Sequence, residues 1–113
     1  NGHLAATSVS FKIKPSYNDI IERWTSFQGH SRAMNLPSSP KPFLTYFSEE
    51  DRPQTKLDRD NGSGMGVTLG RLREDPNFDY KFVALSHNTI RGAAGGAILM
   101  AELLKSEGYI QRK

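Results

Sequence analysis

The sequence contains no cysteine. Disulfides, thiolate metal ligands and a cysteine nucleophile are therefore excluded within its 113 residues. No apolar run approaches the roughly 18 residues that suggest a membrane span, so no membrane partner is expected. The start, Asn1-Gly2-His3, has no initiator methionine, no basic n-region and no signal-like apolar stretch. The expectation is a segment of a longer chain. Charge of one sign is also missing: fifteen basic residues face twelve acidic ones, giving a net +3. They form no basic stripe, so no nucleic-acid partner is expected. The three histidines, His3, His30 and His87, lack the spacing of a helical metal site, and no metal is expected.

What is present fits a single soluble globular domain over residues 1–113, with 36% hydrophobic and 24% charged residues. A chain of this size buries roughly two-thirds of its unfolded surface. Leu4 to Lys14 ends in alternation, with Val9, Phe11 and Ile13 on one side, and reads as a half-buried strand stopped by Pro15. Ser16 and Asp19 have capping-box spacing. Tyr17, Ile20, Ile21, Trp24 and Phe27 then follow at helical spacing, with Gly29 at a C-terminal cap position. This helix is expected to lay its aromatic stripe on a sheet.

His30 to Pro42, with three prolines, reads as a surface connection in which His30 is solvated. Phe43 to Phe47 reads as a short strand, and Ser48 to Gly64 as a long exposed loop. Met65–Arg73 and Tyr80–Ser86 read as two strands joined by "EDPNF" into an antiparallel hairpin. The glycines of "GSGMGVTLG" miss the dinucleotide fingerprint on spacing, since Val67 or Leu69 stands where a third glycine belongs. They also lead into a strand, whereas the fingerprint opens a helix. The order β-α-β-β-β-α, without a repeat, indicates an α+β fold: a mixed or antiparallel sheet with helices on one face.

The last stretch, "HNTIRGAAGGAILMAELLKSEGY", reads as one amphipathic helix with Gly92, Gly95 and Gly96 in its first turns. Each interior glycine costs roughly 0.8–1 kcal/mol relative to alanine. Asn88 or Thr89 can cap the helix, and Gly108 follows its last turn. Ile90, Ala94, Ala97, Ile98, Ala101 and Leu104 form the side expected to be buried. His87 sits at the junction, where it can hydrogen-bond the turn. Gly92 and Gly96 make a G-x-x-x-G face that serves either tight packing on another backbone or a ligand.

"GVTLGRLREDPNFDYKFVALSHNTIRGAAGGAILMAELL" closely resembles the carboxy-terminal portion of the aspartate-β-semialdehyde dehydrogenase family, in its fungal and archaeal branch. "EEDRPQTKLDRD" resembles that family's acidic–basic loop, and "NGHLAATSVSFK" the segment with its catalytic histidine. The resemblance implies a glyceraldehyde-3-phosphate dehydrogenase-like C-terminal domain that supplies catalysis and the subunit interface. A separate Rossmann-type domain would bind NADP, and residues 88–107 would form a final helix packed against it.

The implied reaction interconverts L-aspartyl-4-phosphate and L-aspartate-4-semialdehyde with NADPH or NADP, in lysine, threonine and methionine biosynthesis. The implied partners are L-aspartate-4-semialdehyde, phosphate and a second copy of the chain, and the implied location is cytoplasmic. Carried over by position, His3 is the general acid/base, a role suited to imidazole, whose ordinary pKa lies near neutrality. Asn88 is the asparagine near the nicotinamide, and Gly92 lets the backbone approach the cofactor. Met100 departs from the asparagine expected there. The family's nucleophile is a cysteine, which this chain lacks. Its substrate arginine is expected a few residues before His3. The chain alone is therefore expected to be inactive and to bind no cofactor tightly. The alternative is a stand-alone homo-association module.

Overall fold

The computed structural model describes all 113 residues. Four strands, β1 (His3–Val9), β2 (Leu44–Phe47), β3 (Val67–Glu74) and β4 (Tyr80–Ser86), form one mixed sheet in the order β1-β4-β3-β2. β1 pairs antiparallel with β4, β3 antiparallel with β4, and β2 parallel with β3. The α+β fold with a mixed sheet is thus as expected, and β4 has the bounds read from the sequence.

Helix α1 (Tyr17–Ser26) begins as the sequence indicates. Asp19 N–H donates to the Ser16 hydroxyl, and the Asp19 carboxylate accepts the Ser16 N–H. Its stripe lands on one sheet face. Ile20, Leu72 and Tyr80 form the buried centre, with Val9, Ile21, Trp24, Tyr46 and Phe82 packed around it. Trp24 meets Tyr46 and Phe82 with ring centroids 5.8 Å and 5.0 Å apart. The helix stops at Phe27, which has extended backbone, so Gly29 is not its cap. Gly29 instead has φ +87°, and a methyl there would meet the Phe43 ring.

β1 ends five residues earlier than its alternation suggests. Its partner β4 begins at Tyr80, opposite Val9, so no neighbour remains for Phe11 and Ile13. Asp79 closes the strand by donating its N–H to the Val9 carbonyl and accepting the Phe11 N–H on its side chain. Ile13 is consequently 88% exposed.

Residues Ser48–Gly64 are not the exposed loop expected. Pro53, Asp58 and Gly64 are buried, and Thr55–Asp58 forms a one-turn helix, α2. This segment covers the sheet face opposite α1, because a methyl on Gly70 would strike the Arg52 carbonyl and Pro53. It adds one short helical turn to the expected one-faced arrangement. Arg52 holds it in place. The guanidinium donates through Nε and Nη2 to Asp58, whose carboxylate also accepts the Gln54 N–H. The same guanidinium lies 4.2 Å from the centroid of the Phe47 ring.

The last helix differs most from its expected form. Its first turns are a π turn (Ile90–Ala94), followed by α3 (Gly95–Ser106), with Gly108 at φ +82° after the end. No residue of α3 is buried, and Ile98, Met100 and Leu104 are exposed. The expected buried side is therefore uncovered by this chain. The Cα radius of gyration, 15.8 Å, exceeds the roughly 13 Å of a compact domain of this length. The helix is tied instead by polar contacts. Glu102 accepts the Ser38 N–H and hydroxyl, and Glu107 pairs with Arg32 at 3.5 Å.

Candidate functional site

The sheet's register brings the two ends of the chain to one corner. His3 pairs with Ser86, the last residue of β4, and the turn that follows carries Asn88. Beside His3, the Gly2 N–H donates to Asn88 Oδ1 at 2.9 Å. His3 and Asn88 thus lie at the same edge, both exposed. Gly2 takes φ +102°, and its missing side chain leaves room for Thr55 and Arg59 of the α2 segment. Arg59 reaches over to donate to the Asn1 carbonyl at 3.4 Å.

The start of the last helix has an unusual cap. Neither Asn88 nor Thr89 caps it through its side chain. His87 does so, with Nδ1 accepting the Ile90 N–H at 3.2 Å and lying 3.2 Å from the Thr89 hydroxyl. Its carbonyl also accepts the Gly92 N–H at 3.1 Å, the first of the i→i−5 bonds that make the turn π-helical. Only 5% of His87 is exposed, and its Nε2 is 3.8 Å from Asp60 Oδ1. Hydrogen-bonding of the turn by His87 is thus as the sequence suggests.

The three glycines divide by their surroundings. A methyl on Gly95 would lie 2.9 Å from the Ile90 carbonyl and against Met65 sulfur. One on Gly96 would lie 2.6 Å from the Arg91 carbonyl. The wider π turn pushes those carbonyls toward the next turn, so glycine is required there by packing. Gly92 differs. A methyl on it would meet only the His87 carbonyl, at an ordinary 3.8 Å. Nothing within this chain accounts for a glycine at 92, and the space above it is open.

The sequence reading missed three supporting residues. Asn61 donates to the Thr45 and Thr68 hydroxyls, and its carbonyl accepts the Gly64 and Gly66 N–H groups, which knots the glycine-rich turn to β2 and β3. An asparagine ahead of a glycine cluster is a recognisable turn signal. Arg91 stacks its guanidinium 4.7 Å from the Phe43 ring centroid, with Nη1 buried and unpaired. Arg59 had no signal beyond its charge. His30 stays in the solvated connection. No three His, Asp or Glu side chains come together as a metal site would require. No helix is long and apolar enough to cross a membrane.

The mixed sheet and its flanking helices define an α+β domain. Residues 1–91 match the semialdehyde dehydrogenase dimerisation domain, and the chain belongs to that family. The aspartate-semialdehyde dehydrogenase of Aspergillus fumigatus is 42% identical over 97% of this chain and 32% of its own length. The NADP malonyl-CoA reductase of Metallosphaera sedula is 38% identical over the whole chain and 32% of its own. The crystal structure of aspartate-semialdehyde dehydrogenase with NADP from Candida albicans aligns with a TM-score of 0.85 at 41% identity. That alignment covers 97% of this chain and 31% of that one. The chain spans about a third of the length of these relatives.

Proposed function

We propose that the chain is the C-terminal part of the catalytic and dimerisation domain of an NADP-dependent aspartate-semialdehyde dehydrogenase. His3 moves protons, Asn88 and Gly92 form the nicotinamide edge, and α3 packs on a separate NADP-binding domain. The hydrogen bond from Gly2 to Asn88 carries this proposal, because it joins the strand of the proton-transfer group to the turn of the cofactor edge.

The residues present fit a nicotinamide. The space above Gly92 is open, which suits close approach of a flat ring. Asn88 spends its oxygen on Gly2, which leaves its two amide hydrogens for a carboxamide carbonyl. When bound, the cofactor supplies or accepts the hydride. His3, on an exposed edge, exchanges its proton both with a reacting group and with water. With no cysteine, these residues supply no thiolate.

The test is phosphate-dependent NADPH formation from aspartate semialdehyde. The isolated chain is expected to give no rate above its His3→Ala variant. In the full-length protein, His3→Ala is expected to lower kcat/KM by about 100-fold or more. Full activity in that variant would overturn the assignment. Assaying malonyl-CoA with NADPH in parallel distinguishes the proposed substrate from that of the malonyl-CoA-reducing relative. The alternative, a homo-association module without catalysis, draws on the uncovered apolar side chains of α3. It predicts a stable dimer of the chain by light scattering, with no turnover of aspartate semialdehyde.

A further inference from the structure

We infer that His87 is a positioning residue: its ring caps the last helix so that the Asn88 side chain is left free to serve the site. This rests on the proposal that Asn88 borders the cofactor. The first N–H groups of any helix lack intrahelical partners, and a polar side chain just ahead of the helix ordinarily satisfies one of them. Asn88 and Thr89 are the residue types for that task, yet neither does it here. The ring of His87 takes the Ile90 N–H, and its carbonyl takes that of Gly92. One buried residue therefore satisfies two N–H groups of the π turn. The carboxamide of Asn88 can then turn away from the helix toward Gly2.

The ring must carry its proton on Nε2, since Nδ1 accepts. Nε2 lies 3.8 Å from Asp60 Oδ1. The immediate motif "HNTI" thus divides its labour, with His87 capping inward and Asn88 reaching outward.

Asparagine and glutamine at position 87 separate this role from mere packing. The Asn oxygen can stand near the site of Nδ1, whereas the longer Gln amide reaches the site of Nε2. In the full-length protein, His87→Gln is expected to raise the KM for NADP about fivefold to tenfold, the effect of one lost cap, with kcat nearly unchanged. His87→Asn is expected to stay within about threefold of wild type. A wild-type KM in His87→Gln, equal damage in both variants, or a fall in kcat at constant KM would each overturn the inference. Asn88→Ala is measured alongside. If it leaves the KM for NADP unchanged, the cofactor-edge proposal fails, and the cap is then judged on hydrogen exchange alone. The Ile90 amide should exchange faster in His87→Gln than in His87→Asn, and equal rates would sink the capping role.

Discussion

The side-chain oxygen of Asn88 lies 2.9 Å from the backbone nitrogen of Gly2 and accepts its hydrogen. The two residues are 86 positions apart, and only the pairing of β1 with β4 brings them together. The bond sets where β1 begins relative to the π turn, and with it the place of His3. An edge strand paired on one side has few other restraints, so this corner depends on a small number of local contacts.

Gly2 is held by more than that bond. At φ +102° a side chain is strained, and a methyl would strike Thr55 and approach Arg59 Cβ at 3.2 Å. Gly2→Ala is expected to destabilise the fold by about 1–3 kcal/mol and to detach Asn1–His3 from α2. Denaturant unfolding gives the energy. Loss of the His3 cross-strand signals to Ser86 in NMR gives the displacement, and unchanged signals would count against it.

Gly92 and Gly95 should respond in opposite ways to the same substitution. Gly95→Ala meets the Ile90 carbonyl and Met65, and overpacking of this kind costs about 1–3 kcal/mol. Gly92→Ala meets open space and should be neutral or stabilising by up to about 1 kcal/mol, since alanine favours helix. In the full-length protein the ranking reverses for cofactor binding, with Gly92→Ala raising the KM for NADP. A Gly92→Ala variant that is both stable and unimpaired would remove Gly92 from the cofactor edge.

The elements legible from sequence were those specified by local chemistry. The capping box at Ser16 and Asp19 and the alternation of Tyr80–Ser86 need only a few neighbouring residues to act. β1 is shorter than its alternation, which persists through Ile13 while the pairing partner does not. The burial of Asp58 was invisible because a paired carboxylate looks, in sequence, like any solvated one. The apolar stripe of α3 was legible as a stripe, but its cover is not supplied by these residues. As site residues, His3, Asn88 and Gly92 carry no local signal beyond the resemblance to the family. That His3 and Asn88 share one corner is a matter of register, and His87 is legible as able to hydrogen-bond the turn, though not as the residue that replaces Asn88 or Thr89 as its cap.

The pairing of half-buried Arg52 with buried Asp58 gives stability that depends on pH. The hydrogen bonds from Arg52, opposed by burial and aided by the Gln54 N–H, hold the Asp58 carboxyl below its ordinary value of 3.8. A group with a lowered folded pKa binds protons more readily when unfolded. Its contribution is therefore complete above pH 3.8 and is lost as the pH falls through the folded value. Asp58→Ala leaves the guanidinium and the Gln54 N–H without their acceptor and is expected to cost about 1–3 kcal/mol near neutrality. The difference from wild type should shrink below pH 3.8. A difference that stays constant down to the acid transition would show that Asp58 acts by packing alone.

Helix α3 should be the least protected element of the isolated chain. It has no buried residue, and exposed backbone hydrogen bonds with few apolar contacts open at low free energy. Its anchors are the Glu102 carboxylate on Ser38 and the Arg32–Glu107 pair. Amides of Ile98–Ser106 are expected to exchange much faster than those of β3 and β4 in native-state hydrogen exchange. Glu102→Ala removes both Ser38 bonds and should quicken α3 further, about fivefold for one kcal/mol of lost anchoring, while leaving β4 unchanged. If α3 in the isolated chain is as slow as β4, a second copy must cover it. The apolar side chains Ile98, Met100 and Leu104 would then belong to a homodimer contact, and dilution below its dissociation constant should restore fast exchange.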